Sequence, residues 1–182
     1  MTESKGVNCY RDRVKIDLHI HTKTGSDGNL SVEEVLKEAK NRNINLVSIT
    51  DHDSIDSQER AIALAREYGI GYITGVEVNV TFQYPGNEAT QSISLDFLGY
   101  RYDISNQELK NKLQMIREHR EKRAWQILEK LNAEFDKEGI KRFTDKDLKN
   151  IQNSVDGAFG RPHIANYLIK KGIVKDKQEA FD

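Results

Sequence analysis

The sequence predicts an α/β fold in which strands and helices alternate along roughly the first hundred residues. Strand-like apolar runs begin at Ile16, Ile44 and Ile70, and a helical pattern lies between each run and the next. This order is the βαβ repeat of parallel sheets, in which the carboxyl ends of the strands gather at one edge. From about residue 104 onward the pattern is helical only.

The first strand carries its polar side chains on one face. Asp17, His19 and His21 alternate with apolar residues, and successive strand side chains point to opposite faces of a sheet. An acidic and imidazole-lined face is typical of a binding site. An amphipathic edge strand that exposes polar residues to solvent produces the same pattern, so this segment alone leaves both interpretations open.

Capping residues and glycines delimit the next elements. Ser31 and Glu34 form a capping box, which predicts a helix that ends near Asn43. The buried strand INLVSIT then leads into the acidic loop DHDSID, and a helix over residues 57–68 ends at Gly69. Polar loops at the ends of buried strands are where α/β folds place their sites.

Two further strands are predicted from alternating polarity. In residues 70–82 the valines face away from Glu77, and in SISLDFLGY Asp96 lies opposite the apolar side chains. The turn-rich residues 84–86 join the two strands.

The rest of the chain is predicted to be helical. Ser105 and Glu108 suggest a capping box for a long helix whose apolar stripe continues to Phe135. Its charged middle, REHREKR, is interpreted as a solvated face, with phosphate binding as the alternative. Shorter helices are expected from Thr144, from Pro162 to Gly172, and from Asp176, with the loop SVDGAFG between the first two.

Composition limits the classes of function. The 28 Lys and Arg residues balance 29 Asp and Glu residues, and the net charge of −1 excludes a global basic field for nucleic acid. Cys9 is the only cysteine, which excludes an internal disulfide and favours a reducing compartment. No apolar run reaches the length of a signal peptide core or a membrane span, so we expect a cytoplasmic protein with no membrane partner.

Candidate metal ligands follow three separate strand ends. His19 and His21 end the first strand, His52 follows the second, Glu77 lies in the third, and Asp27 lies in the loop between the first two. Imidazoles mixed with carboxylates suit zinc, manganese or iron better than calcium. Each residue alone is a weak signal, but their joint placement favours a metal site.

The motifs DLHIHT, SDG, ITDHDS and GVE resemble, in this order, those of the PHP domain, the polymerase and histidinol phosphatase family. The later segment GRPHIANYLIKKG resembles a helical insertion of its nucleotide phosphatase and exonuclease branch. The resemblance implies that residues 1–103 form the N-terminal part of a distorted (β/α)7 barrel, 104–175 a helical insertion subdomain, and 176–182 the start of a helix. Because the barrel's C-terminal strands are missing, we expect a truncated chain, a diverged relative, or a barrel completed by a second chain or in a homo-oligomer.

The resemblance also implies a cluster of two or three divalent ions, manganese, zinc or iron. Glu77 would bridge two of them. Asp96 stands where the family usually has a histidine, so it is either a ligand that favours manganese or iron, or merely a polar strand residue. The implied metal ligands are His19, His21, Asp27, His52, Glu77 and Asp96.

Arg161 and His163 match positions that the resemblance assigns to the substrate phosphate. A planar guanidinium just before a helix start suits phosphate oxygens. The implied function is hydrolysis of a nucleotide or oligonucleotide 5′ phosphate ester by a metal-activated hydroxide. A phosphatase for a phosphorylated small metabolite, of the histidinol phosphatase type, and a truncated, inactive module that binds metal or a partner remain as alternatives.

Overall fold

The structure is a computed structural model that describes residues 14–82, 93–153 and 161–181. Within these residues, five strands and two helices form an α/β part, and four further helices follow. The strands are β1 (Ile16–Ile20), β2 (Leu46–Ile49), β3 (Gly71–Tyr72), β4 (Gly75–Phe82) and β5 (Ile93–Tyr100). The helices are α1 (Val32–Asn41), α2 (Gln58–Tyr68), α3 (Gln107–Glu138), α4 (Asp145–Asn153), α5 (Arg161–Lys170) and α6 (Lys177–Phe181).

The strands form two sheets. β1, β2 and β3 are parallel neighbours in that order, as the βαβ pattern predicts, while β4 and β5 form an antiparallel ribbon. A bridge between His52 and Glu77 continues the parallel arrangement from the end of β2 to β4. The α/β class is therefore confirmed, but the described residues contain no closed barrel.

The prediction of one strand over residues 70–82 is wrong. The chain divides into β3 and β4, and only β3 pairs with β2 along the sheet. β4 starts at Gly75, where an added Cβ would lie 2.1 Å from the Ser48 hydroxyl, so the chain passes very close to β2 before it pairs with β5. Alternating polarity reports which face is buried and carries no information about which strand is the neighbour.

Local capping chemistry determines most helix boundaries. The Ser31 and Glu34 capping box is present at α1, and Gly69 ends α2 with a φ of 71°. The prediction that Ser105 caps α3 is wrong: the Asn106 side chain accepts the Leu109 N–H, while the Ser105 hydroxyl donates to Asp103. Ser105 is already engaged in a turn, so the next residue caps the helix.

Two main apolar clusters hold these elements together. One packs α1 and α2 on the parallel sheet around Leu36 and Ile49, and the other joins α3 to α5 around Leu128 and Ile164. A smaller cluster packs Leu113 of α3 against the β4 region. The 32-residue helix α3, about 48 Å long, therefore packs against the sheet near its start and against the other helices near its end.

The β4–β5 ribbon has one polar and one apolar face. Glu77 and Asn79 lie opposite Leu98 and Asp96 on one face, and successive residues alternate between the faces. The opposite face carries large apolar side chains of which Ile93 and Phe97 are 53% and 55% exposed. The polar face of the ribbon is the one that contributes to the site described below.

Some predictions concern residues outside the described ranges. The turn at residues 84–86, the loop SVDGAFG and Cys9 all lie there. Short helices follow Thr144 and Asp176 as predicted, and α5 begins at Arg161. None of the described helices is long and apolar enough to cross a membrane. The division at residues 103 and 175 stays a prediction.

Candidate metal centre

Three imidazole rings surround the carboxylate of Glu77. The His19 Nε2 and His21 Nε2 atoms lie 3.0 and 2.7 Å from Glu77 Oε2, and His52 Nδ1 lies 3.6 Å from the same oxygen. Glu77 is buried in β4, whereas the histidines belong to β1 and to the loops after β1 and β2. The predicted convergence is present for the ends of β1 and β2, whereas Glu77 is the third residue of β4. Asp17, on the same strand face as His19, is not among the clustered side chains.

His21 also contacts Asp27 through its other nitrogen. The His21 Nδ1 atom lies 2.9 Å from Asp27 Oδ1, so the ring joins two carboxylates. The hydrogen bond to Asp27 is the main reason why the pKa of His21 is raised above its ordinary value of 6.5, although burial opposes the shift. The same bond holds the pKa of Asp27 well below its usual range.

His52 lies between Asp27 and Glu77. Its Nε2 atom is 3.9 Å from Asp27 Oδ1, and its ring packs edge-on against His21 at a centroid distance of 4.5 Å. Its Nδ1 atom is buried and has no hydrogen-bond partner among the described residues. A buried imidazole nitrogen without a partner is costly unless a ligand satisfies it.

Asp96 is close enough to join this cluster. Its carboxylate lies within 4.8 Å of ligand atoms of His52 and Glu77. The Asn79 amide, on the same ribbon face, donates to Asp96 Oδ1 at 2.7 Å and to the Ser94 hydroxyl at 2.8 Å. The carboxylate therefore has a polar neighbour that orients it.

These donors fit divalent cations. An ion about 2.1 Å from each ligand atom requires ligand atoms that are about 3 to 4 Å apart. The imidazole nitrogens of His19, His21 and His52 lie 2.7 to 3.6 Å from Glu77 Oε2. His52 Nε2 lies 3.9 Å from Asp27 Oδ1, and His52 Nδ1, which has no hydrogen-bond partner among the described residues, lies beside Glu77. Imidazole nitrogens and carboxylate oxygens are the ligands of zinc, manganese and iron.

A buried carboxylate outside the cluster fixes the loops that carry it. Asp51 accepts the backbone N–H and hydroxyl of Thr22 and the hydroxyl of Ser57. Burial raises the pKa of Asp51, and these hydrogen bonds oppose the shift. Since Thr22 follows His21 and Asp51 precedes His52, this contact connects the two histidine-bearing segments.

One cavity of about 450 Å³ lies beside the cluster. Asp27, His52 and Asp96 line one part of its wall, and the α3 residues Arg120 and Arg123 line another. The remaining charged or imidazole-bearing residues of the wall are His119, Arg161 and His163. The two residues predicted to contact phosphate therefore lie in the same cavity as three of the predicted metal ligands.

The interpretation of REHREKR as a solvated face holds for its exposed residues Glu118, His119, Lys122 and Arg123, but not for the whole run. Arg117 and Arg120 are only 25% and 28% exposed and form ion pairs with Asp56 and Asp53. The signal was a helical stripe in which the charged residues continue the apolar positions at spacings of three and four. That stripe, which lines the cavity, consists of Ile116, His119, Arg120, Arg123, Ala124 and Ile127.

With this geometry in place, comparison with known proteins decides the family. The model of the PHP domain matches residues 17–177. The chain belongs to the PHP domain family. Among curated PHP-like relatives, a 5′-3′ exoribonuclease of Haemophilus influenzae is 34% identical over 167 residues, which is 92% of this chain and 55% of the relative. A 3′,5′-nucleoside bisphosphate phosphatase of Chromobacterium violaceum is 33% identical over 166 residues, 91% of this chain and 53% of the relative.

The fold agrees with this family. A solved amidohydrolase structure from Chromobacterium violaceum, with sulfate bound and no metal, superposes with a TM-score of 0.72 at 31% identity. The match covers 92% of this PHP chain and 54% of that one. The chain thus spans about half the length of the proteins that it resembles.

Proposed function

We propose that this chain forms part of a metal-dependent phosphoesterase that acts on a nucleotide or on the 5′ end of a short oligonucleotide. One observation carries the proposal: a single cavity brings together carboxylate and imidazole ligands on one wall and arginines on another. Metal-assisted phosphate ester hydrolysis uses such a pair of surfaces, because the phosphoryl group carries negative charge and water must be activated beside it.

The described residues supply three overlapping groups of ligands, which share His21, His52 and Glu77. His19, His21 and Glu77 would hold one ion, and Asp27 with His52 would hold another. Glu77 also belongs to a group with His52 and Asp96, so its carboxylate is shared by two of the groups. Divalent ions held there would lower the pKa of a bound water and neutralise phosphoryl charge.

The arginines would bind and orient the phosphate groups. Among the described residues Arg123 and Arg161 form no ion pair, whereas Arg120 is paired with Asp53. Arg161 begins α5, where the backbone N–H groups of the first turn also attract anions. Arg123 and Arg161 are therefore the cations best placed to bind a phosphate, and His163 lies two residues after Arg161.

The relatives support a nucleotide substrate. The two curated relatives above are an exoribonuclease and a nucleoside bisphosphate phosphatase, and both names denote phosphate chemistry on nucleotides. The solved neighbour binds sulfate, which has the tetrahedral shape of phosphate. A cavity of about 450 Å³ is within the range of small-molecule sites.

The test measures phosphate release from a 3′,5′-bisphosphorylated nucleotide and from histidinol phosphate, and mononucleotide release from a 5′-phosphorylated dinucleotide, each with Mn²⁺ or with EDTA. We expect Mn²⁺-dependent release from the nucleotides, little from histidinol phosphate, and at least a 100-fold loss in Glu77→Gln. This change removes a carboxylate shared by two ligand groups, and bound metal ions supply several kcal/mol of transition-state stabilisation. The exposed Glu33→Gln variant is the matched control and should keep full activity. Release that is unaffected by EDTA and by Glu77→Gln would contradict the proposal, as would a preference for histidinol phosphate.

A further inference from the structure

The hydroxyl of Ser26 contacts two of the proposed ligand residues. Its Oγ atom donates to Asp27 Oδ1 at 3.1 Å and accepts the backbone N–H of His52 at 3.1 Å. Ser26 is buried, with 4% of its surface exposed. One small side chain thus connects two loops that lie 26 residues apart in the sequence.

The direction of both hydrogen bonds follows from the groups involved. A backbone N–H can only donate, so Ser26 Oγ accepts from His52. A carboxylate oxygen accepts, and Ser26 Oγ already accepts from His52, so the single hydroxyl hydrogen points to Asp27 Oδ1. The Ser26 backbone N–H donates to the Thr22 carbonyl at 3.0 Å, which anchors it to the segment that follows His21.

These contacts orient Asp27 toward His52. Asp27 Oδ1 accepts from Ser26 and lies 2.9 Å from His21 Nδ1, and the same oxygen is 3.9 Å from His52 Nε2. A carboxylate held by two neighbours keeps one rotamer, whereas the Asp27 side chain, 33% exposed, would otherwise be held chiefly by His21. The backbone of His52 is fixed by the same hydroxyl.

We propose that Ser26 is a positioning residue for the cation held by Asp27 and His52. The inference rests on the proposed function, since it requires a cation at that place. Ser26 has no hydrogen bond to His19, His21 or Glu77, so the cation held by those three residues depends on it much less. Hydrogen-bond partners of metal ligands typically change metal affinity 10- to 100-fold.

The test is a titration of the purified chain with Mn²⁺, in which free Mn²⁺ is followed by its electron paramagnetic resonance signal. In Ser26→Ala we expect one ion to bind about 10- to 100-fold more weakly and the other to change less than about twofold. The matched control is Ser48→Ala, because the Ser48 hydroxyl is buried without a hydrogen-bond partner among the described residues. This control should bind both ions normally.

A double substitution separates positioning from general stability. In an Asp27→Ala background the effect of Ser26→Ala on the remaining affinity should largely disappear, because its main partner is gone. An equal weakening of all ions together with a lower unfolding midpoint would overturn the positioning role in favour of a structural one. Unchanged Mn²⁺ binding in Ser26→Ala would overturn the positioning role of Ser26 but leave the proposed function intact. Fewer than two Mn²⁺ ions bound by the unsubstituted chain would contradict the proposed function as well.

Discussion

Arg120 of α3 forms an ion pair with Asp53, the residue that directly follows His52. Arg117, three residues before Arg120 on the helix, pairs with Asp56, which lies three residues after Asp53 in the loop. Asp53 is fully buried, and its backbone N–H donates to the Glu77 carbonyl at 2.8 Å. The helix that carries the cavity arginines is therefore attached to the loop that carries a proposed metal ligand.

Removing Arg120 should destabilise the protein strongly. Arg120→Ala leaves the Asp53 carboxylate buried without its cation, and breaking a buried pair in this way costs about 3 kcal/mol. Urea unfolding would measure this loss. The double variant Arg120→Ala, Asp53→Ala should recover part of it, and Arg142→Ala, which removes an exposed pair, should cost less than about 1 kcal/mol. Equal losses in Arg120→Ala and Arg142→Ala would contradict the assignment.

The cost of Arg120→Ala should also depend on pH. Burial raises the pKa of Asp53 and Arg120 opposes that shift, so the variant raises this pKa further. A carboxyl whose pKa is higher in the folded state binds protons on folding, and the free energy of unfolding therefore increases as the pH falls. Arg120→Ala should thus lose less stability at pH 5 than at pH 8, and a larger loss at pH 5 would contradict this account.

The imidazole of His21 should titrate above pH 6.5 in the metal-free chain. Asp27 is the main cause of its raised pKa, and Asp27→Asn should move the titration downward. Nuclear magnetic resonance titration of the histidine rings would measure both values. Protons compete with the metal for this ring, so Mn²⁺ affinity should fall as the pH falls through that raised pKa. An affinity that is constant between pH 6 and pH 8 would contradict the prediction.

Much of the fold was predictable because its determinants are local. The capping box of Ser31 and the glycine at residue 69 mark helix boundaries through contacts only a few residues long. Strand pairing is non-local, and for this reason the sequence predicts one strand over residues 70–82 although β4 leaves β3 to join β5. Alternation in a sequence does not identify the neighbouring strand.

The wall of the candidate site that carries the metal-ligand candidates was more predictable than the wall that carries the arginines of α3. His19, His21, His52 and Glu77 could be grouped because strand ends converge in α/β folds, and the structure places them together. The positions of Arg120 and Arg123 in the cavity are indicated only by their helical spacing from Ile116 and Ile127, since a densely charged run has little apolar contrast to mark its inward face. Asp53, the acidic partner of Arg120, lies 67 positions away from it in the sequence.

A methyl group at residue 28 should disturb the metal site. A Cβ added to Gly28 would lie 2.2 Å from the His21 carbonyl oxygen, and a backbone atom can move away only if the loop changes its conformation. Gly28→Ala should displace Asp27 from His21 and weaken Mn²⁺ binding at least tenfold, comparable to the loss of a contact that orients a metal ligand. In Gly99→Ala the nearest atom is 3.4 Å away, so this control should bind normally in the same Mn²⁺ titration. Normal binding by Gly28→Ala would show that the loop adapts.

Arg123 and Arg161 should act mainly on substrate affinity. A hydrogen bond to a charged group contributes about 1.5 to 3 kcal/mol, so Arg123→Ala or Arg161→Ala should raise KM roughly 10- to 100-fold. Steady-state kinetics on the bisphosphorylated nucleotide would separate KM from kcat, which should change much less. Arg142→Ala serves as the distant control. A loss confined to kcat would place these arginines in the chemical step instead.

The most direct measurement is the anomalous scattering of Mn²⁺ in crystals of the metal-loaded chain. We expect one anomalous peak within bonding distance of His19, His21 and Glu77, and a second beside Asp27 and His52. The matched crystal of the Glu77→Gln variant should lose the first peak. Peaks at other places would contradict the claim that these residues form the metal centre. The absence of a peak at the cluster would also contradict it, if the same protein binds Mn²⁺ in solution.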